Sequence, residues 1–203
     1  MQSIKVNGQM LTPSKVVCIG RNYVEHIEEL NNEIPTEPVI FVKPNSAITS
    51  EICTHAVDAI HYEAEISLII ENNQFKAAGI GLDLTKREVQ STLKAKSLPW
   101  ERAKAFDKSA VFSEFVRIPE GIETLRLVLS INDEIIQQAN YDLMIYKPAQ
   151  IVQAVQAFMS FENGDILMTG TPKGVGKVNQ GDVFVGQLYD NDQLLVSQSW
   201  TVN

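Results

Sequence analysis

His61-Tyr62-Glu63-Ala64-Glu65-Ile66-Ser67-Leu68-Ile69-Ile70 sets two carboxylates, two residues apart, at the head of an apolar run rich in branched side chains. Such a run reads as a strand, and on a strand alternate side chains share a face. Glu63 and Glu65 therefore point the same way, from a segment whose apolar end has to be buried. Two like charges held beside a core are costly unless a cation compensates them. The plainer reading is an alternating surface strand, which also places carboxylates two apart.

Upstream of this strand, Val16 to Gly20 and Val39 to Val42 read as short apolar strands, the second followed by a turn signal at Lys43-Pro44-Asn45. Between them lies a polar, acidic excursion, residues 21 to 38, ending at Pro35 and Pro38. His26 and Glu29 stand three apart in it and share a face if it is helical. Few apolar residues predict marginal stability, suited either to a mobile lid or to a solvated helix.

Downstream, Glu71-Asn72-Asn73 predicts a hairpin turn, and Asp83 precedes Thr85-Lys86-Arg87-Glu88, which matches a capping box opening a helix that must end before Pro99. Leu125 to Ile131 predicts a strand, with a turn at Asn132-Asp133 and a return from Ile135. A second helix begins at Pro148 and carries Ile151, Val152, Val155, Phe158 and Met159, stopping by Asn163-Gly164. From Asp165 onward, short apolar runs alternate with Gly and Asp/Asn turns, as antiparallel strands do. Strands dominate without sustained strand–helix alternation, so the expected class is α+β and β-rich, a roll or barrel with a few short helices.

The 203 residues are 44% hydrophobic and carry a formal charge of -8, which predicts one domain spanning residues 1 to 203 and argues against nucleic acid or an anionic membrane as partner. Small molecules are the expected ligands. Cys18 and Cys53 form no CxxC pair, the N-terminus lacks an apolar signal core, and no run is long enough to span a bilayer, so a cytoplasmic location is expected.

Glu63, Glu65 and Asp83 together offer oxygen-only ligands, the set that suits Mg²⁺ or Mn²⁺ and leaves positions for water and substrate. Zinc is disfavoured for want of a His/Cys cluster. His61 is left outside the set as a strand-entry histidine. His26 with Glu29 offers an imidazole and a carboxylate that can orient it. Lys104, in Glu101-Arg102-Ala103-Lys104-Ala105-Phe106-Asp107, is either a site residue or a solvated lysine. Thr169-Gly170-Thr171-Pro172-Lys173-Gly174-Val175-Gly176 fails the phosphate-loop pattern, since Val178 follows Gly176-Lys177 where Ser or Thr is needed. It remains a rigid turn whose backbone N–H groups suit a carboxylate or carbonyl oxygen.

Taken in order, Gly20-Arg21-Asn22-Tyr23 with His26, Glu37 to Pro44, His61 to Glu65, Leu82 to Gln90, Leu98 to Asp107 and Gly164 to Gly176 resemble the fumarylacetoacetate hydrolase family, most closely its short acylpyruvate hydrolase and oxaloacetate decarboxylase branch. The resemblance covers the chain from about Lys15 onward. It implies a mixed β-roll, a homodimer, and Glu63, Glu65 and Asp83 as ligands of Mg²⁺ or Mn²⁺. It implies His26 and Glu29 as a lid dyad that activates water, and Lys104 as the lysine facing the reacting oxygen. Arg21, Lys43, Arg87, Gln90 and Thr171 fall near the substrate. The family often has Thr-Ala-Arg-Asp where this chain has Thr85-Lys86-Arg87-Glu88, which leaves Arg87 in place. The implied activity is hydrolysis of a C–C bond in acylpyruvate-type 2,4-dioxo acids to pyruvate and a carboxylate. Oxaloacetate decarboxylation and keto–enol tautomerisation are the alternatives, and a non-catalytic metal-dependent dicarboxylate binder is the rival from another class.

Overall fold

The computed structural model describes residues 1–30, 33–118 and 121–203. The acidic stretch at its heart is two strands rather than one, Ile60–Tyr62 and Ala64–Glu71, broken at Glu63. Different sheets claim the two sides of the break. Ile60–Tyr62 lies between Thr85–Lys86 and Gly176–Lys177 in a small three-stranded sheet. Ala64–Glu71 lies between Gln74–Asp83 and Ile166–Met168 in the main one.

The main sheet runs Val39–Pro44, Lys15–Gly20, Ile166–Met168, Ala64–Glu71, Gln74–Asp83, Ala110–Phe112, Ile48–Thr49, with Val116–Arg117 also pairing with Gln74–Asp83. It is mixed: Ile166–Met168 is parallel to Lys15–Gly20, and Ala110–Phe112 is parallel to Ile48–Thr49. A strand covered on both faces has no need to alternate. From Ala64 to Ile70 every side chain is buried. Ile66, Leu68 and Ile70 pack with Leu127, Leu129, Phe184 and Leu188 from a four-stranded sheet, and Ile69 packs on the other side with Val16, Cys18, Phe112 and Phe115. The four-stranded sheet is Glu134–Asn140, Leu125–Ile131, Val183–Asp190 and Gln193–Thr201, antiparallel throughout. The β-rich α+β class is thus the observed one.

The hairpin at Asn72-Asn73 forms as expected, both residues taking positive φ (50° and 58°), as the tight turn of a twisted hairpin requires. A bulge at Ile69/Ile70 then shifts the register by one residue. Without it, Glu63 would face Leu82; with it, Glu65 pairs with Gly81 and Asp83 donates its backbone N–H to the Glu63 carbonyl at 2.8 Å. One inserted residue exchanges the side chains that share a face. Here it sets Asp83 beside the two glutamates.

The helices are short. Val24–Glu29 forms within the expected lid span of about 21 to 38, of which Asn31 and Asn32 lie outside the described residues. The helix expected from Thr85 starts later, at Arg87, and runs to Ala95 without a side-chain cap. Thr85 cannot serve as cap because Thr85–Lys86 is taken up in the small sheet, and its hydroxyl donates to the Asp83 carbonyl at 3.2 Å. Pro148 opens a helix that closes at Gln156, before Phe158 and Met159; Phe158 is exposed. Pro44 is the last residue of its strand rather than a turn, and a single 3₁₀ turn follows at Asn45–Ala47. Both cysteines are free thiols. No helix among the described residues is long and apolar enough to cross a membrane.

Candidate metal centre and cleft

Glu63, Glu65 and Asp83 each offer an oxygen to one group in which all the oxygens lie within 4.8 Å of one another, and all three residues are buried. Three carboxylates so placed cannot all stay charged without cations. The chain brings three of its own. Lys104, at the end of the short helix Glu101–Lys104, donates from Nζ to Glu63 Oε2, Asp83 Oδ2 and Thr85 Oγ1, each at 2.7 Å. Arg87 Nη2 donates to Glu63 Oε1, and its Nη1 to Gln90 Oε1 at 2.8 Å. Lys43, fully buried, sits 2.8 Å from Asp83 Oδ1.

The charges are divided unequally. Burial pushes the Glu63 carboxyl up, but Lys104 and Arg87 outweigh it and hold the group below the usual carboxylate range. Glu65 goes the other way: burial, then Asp83 and Glu63, raise it well above that range, against one hydrogen bond from the Gly170 N–H at 2.7 Å. Burial disfavours the Lys104 ammonium, yet Asp83 and Glu63 overcome it and keep the lysine charged.

Two observations fit this group to a hard divalent cation. The donors are carboxylate oxygens alone, the set that Mg²⁺ and Mn²⁺ prefer. Asp83 Oδ1 is also buried with no aligned hydrogen bond, because the Lys43 Nζ beside it spends its protons on the carbonyls of Leu84 at 3.4 Å, Ser109 at 3.0 Å and Lys104. The Lys104 ammonium meanwhile stands among the carboxylates as a cation would.

Above this floor opens a narrow cleft lined by Arg21, His26, Phe41, Arg87, Lys94 and Trp100, along with Gln90, Lys104 and Thr171. With Lys104 inserted, about 30 Å³ remains in it, room for a water or two. Arg21 follows Gly20 with φ at 56°, and its Nε, like that of Arg87, is buried without a hydrogen-bond partner. Unpaired donors of this kind under a cleft call for an anion. His26 is buried on the helix Val24–Glu29 with Nδ1 3.3 Å from Glu29 Oε2. Burial lowers its pKa, against the opposing pull of Glu63 and Glu29, so the imidazole is neutral at pH 7 with Nε2 left for chemistry.

Of the residues expected near a substrate, Arg21, Arg87, Gln90 and Thr171 line the cleft. Lys43 does not: it lies beneath Asp83, sealed by backbone carbonyls, where it can only fix the carboxylate from below. His61 stays in the small sheet, half-buried, outside the carboxylate group. The Gly-Thr turn holds carboxylates as expected, but they are the chain's own. Gly170 N–H binds Glu65, and Gly174 N–H binds Glu29 Oε1 at 3.0 Å. Both glycines have positive φ, and a Cβ on Gly174 would fall 2.3 Å from the Ile136 carbonyl, so neither position admits a side chain.

One residue went unseen in the sequence. Gln137 is buried, accepts the Ala64 N–H on Oε1 at 3.0 Å, and donates from Nε2 to Thr171 Oγ1 at 2.9 Å and the Pro172 carbonyl at 3.0 Å. A single amide thereby ties the glutamate strand to the turn that contacts Glu25 and Glu29. Its strand, Glu134–Asn140, has two adjacent glutamines, and nothing local says which one points inward.

A mixed β-roll whose hairpin gathers three buried carboxylates under a cleft with two arginines is the fold of one enzyme family. The chain belongs to the fumarylacetoacetate hydrolase family: the family model for the fumarylacetoacetate (FAA) hydrolase C-terminal region matches residues 15–193. It is 37% identical to an oxaloacetate tautomerase of Escherichia coli, covering 83% of this chain and 85% of that protein. It is 36% identical to a mitochondrial oxaloacetate decarboxylase of Dictyostelium discoideum, covering 85% and 87%. The fumarylpyruvate hydrolase of Pseudomonas aeruginosa, solved in complex with Mn²⁺ and pyruvate, superposes with a TM-score of 0.89 at 28% identity, covering 99% of this chain and 95% of that one.

Proposed function

We propose that this protein is a divalent-metal-dependent enzyme acting on oxaloacetate, catalysing keto–enol tautomerisation or decarboxylation, with Glu63, Glu65 and Asp83 as the metal ligands. The observation that carries the reading is a buried carboxylate group in a cleft that is also lined by Arg21 and Arg87, whose Nε donors are buried without a partner. Such a site suits an anion that brings a carbonyl to a cation. The names of the E. coli and Dictyostelium relatives support oxaloacetate as that anion.

When bound, the cation supplies Lewis-acid polarisation of the 2-oxo group. The protein's own residues do the rest. Arg87 and Arg21 donate to the substrate carboxylate. Lys104, released from Glu63 and Asp83, offers an ammonium to the oxygen that gains charge. His26, held neutral by burial and oriented by Glu29 through Nδ1, accepts a proton at Nε2 from the carbon next to the carbonyl and returns it. The small space left in the cleft means that Lys104 withdraws, or the helix Val24–Glu29 lifts as a lid, before a substrate enters.

C–C hydrolysis of an acylpyruvate is the second reading. It is favoured by the His26–Glu29 pair, which can equally deprotonate water, and by the fold shared with the fumarylpyruvate hydrolase. One assay separates the two. Purified protein with Mg²⁺ is given enol oxaloacetate and, separately, acetylpyruvate; enol absorbance and pyruvate release are followed. Accelerated enol loss or pyruvate release from oxaloacetate, absent with chelator, is the expected result. Turnover of acetylpyruvate alone overturns it in favour of hydrolysis.

A further inference from the structure

Glu134–Asn140 is an outer strand of the four-stranded sheet, and a bulge opposite Leu129 and Ser130 leaves its Ile136 without a partner residue. Bulges re-aim side chains. Here Ile135 is 62% exposed while Gln137 is 1% exposed, the reverse of ordinary packing. The orientation of the buried amide is fixed by neighbours that have one role each. The Ala64 N–H can only donate, so Oε1 faces it at 3.0 Å; the Pro172 and Lys173 carbonyls can only accept, so Nε2 faces them at 3.0 and 3.3 Å. Thr171 Oγ1, 2.9 Å from Nε2, is therefore the acceptor in that bond. A hydroxyl that accepts still has its proton to give. Among the described residues Thr171 Oγ1 makes no other hydrogen bond, and Thr171 lines the cleft.

We propose that Gln137 is a positioning residue: by donating to Thr171 Oγ1 it turns the threonine into a donor, whose proton goes to an oxygen of the bound 2-oxo acid. The inference rests on the reading of the cleft as a 2-oxo acid site and adds a residue to it. A threonine hydroxyl left to itself rotates and can either give or accept a hydrogen bond. Tied to an N–H, it can only give. An anion needs donors, and a donor oriented beforehand loses little freedom when the ligand arrives. The frame around the amide is tight, since a Cβ on Gly174 would fall 2.3 Å from the Ile136 carbonyl, next to Gln137. The other end of the amide holds Ala64, between Glu63 and Glu65, so an effect on the carboxylate group has to be measured apart from one on Thr171.

The test is calorimetric titration of the Mg²⁺-loaded protein with pyruvate, a stable 2-oxo acid, in Gln137→Met, Thr171→Val and the double variant. Each single change is expected to weaken binding by about tenfold, the usual effect of losing a hydrogen bond to a charged group. The double variant should be no weaker than the worse single one, because two residues that act as a unit do not add. Thr171→Ser, which keeps the hydroxyl, should stay within about threefold of wild type. Gln137→Glu, which keeps an acceptor for Ala64, serves if Gln137→Met does not fold. The rise in melting temperature given by Mg²⁺ should be the same in all of them. Unchanged pyruvate binding in the Gln137 variant, a double variant about a hundredfold weaker than wild type, or a lost Mg²⁺ shift in the Gln137 variant each overturns the proposal; the last assigns the amide to the glutamate strand. A wild type that binds no pyruvate removes the reading of the cleft and the proposal together, whereas wild-type binding with additive variants removes the proposal alone.

Discussion

Two buried aspartates, Asp165 and Asp83, each face lysine, and they differ in how completely they are satisfied. Asp165 Oδ1 accepts Ser14 N–H at 3.1 Å, Ser14 Oγ–H at 2.7 Å and Lys15 N–H at 3.2 Å; its Oδ2 accepts Glu162 N–H at 2.8 Å and Lys15 Nζ. The carboxylate pins the entry of Lys15–Gly20 to the parallel strand Ile166–Met168 and has nothing left to offer. Asp83 has Lys104 on one oxygen and no aligned donor on the other, with two further carboxylates pressed beside it. The same residue types build a lock in one place and an open coordination site in the other. Incomplete satisfaction under burial, rather than burial or charge, is what singles out Asp83 as the candidate ligand.

The contrast breaks first if the open site proves indifferent to metal. Asp83→Asn and Glu65→Gln are each expected to lower Mg²⁺-dependent turnover by about a hundredfold or more, since the cation contributes several kcal/mol to the transition state. Neither variant should show the rise in melting temperature that Mg²⁺ gives the wild type, because only ligand that binds the folded chain stabilises it. A full thermal shift in both variants would move the metal elsewhere. Lys104→Met comes next. Without its ammonium, Glu63 and Asp83 lose their nearest counter-charge, so the metal-free protein is less stable and its thermal gain on adding Mg²⁺ exceeds that of the wild type, while turnover still falls. An unchanged Mg²⁺ gain would show that Lys104 does not share the space of the cation.

Much of this architecture is written in local sequence. The Asn72-Asn73 and Asn132-Asp133 turns, the helix opened by Pro148 and the strand Leu125–Ile131 form where turn chemistry and periodicity place them. The carboxylate group was also legible, through Glu63 and Glu65 on one face. What decides that Asp83 joins them is the bulge at Ile69/Ile70, and a bulge leaves no mark in a run of isoleucines. Thr85-Lys86-Arg87-Glu88 failed as a capping box for a long-range reason: His61 pairs with Thr85 and takes the threonine into a sheet. Lys43 looked like a substrate lysine by position in a motif; its burial comes from carbonyls at Leu84, Lys104 and Ser109, each at least 41 residues away. Gln137 was hidden for the same reason.

The lock should fail in the opposite manner. Asp165→Asn replaces an acceptor-only group by one whose NH₂ meets the Lys15 and Glu162 donors, and a loss of about 1–3 kcal/mol in unfolding free energy is expected. The Mg²⁺ thermal shift and the turnover of the folded fraction stay at wild-type values. The pH dependence has a definite sign. Burial pushes the Asp165 carboxyl up, but its hydrogen bonds from Lys15, Ser14 and Glu162 prevail and depress it below the ordinary aspartate value. Its contribution is therefore complete above about pH 4, the unfolded value, and is lost as pH falls through the folded one. Urea midpoints of wild type and Asp165→Asn, measured downward from pH 6, should differ by a constant amount above about pH 4 and draw together as pH falls below it.

Glu29 stands between the two extremes, half-exposed, with one oxygen taken by Gly174 N–H and the other by His26 Nδ1. Its effect is correspondingly the smallest. Burial is the main influence on His26 and lowers its pKa, while the Glu29 contact raises it. If His26 acts as a base, activity disappears as pH falls through a midpoint below the ordinary histidine value of about 6.5. Glu29→Gln removes the supporting charge, so the acid limb should move to still lower pH, with a modest loss at pH 7 from poorer orientation. A limb that stays in place would detach His26 from Glu29. A limb that moves upward would mean that Glu29 acts through the Gly174 contact, as a latch on the helix Val24–Glu29 rather than as a partner of the imidazole.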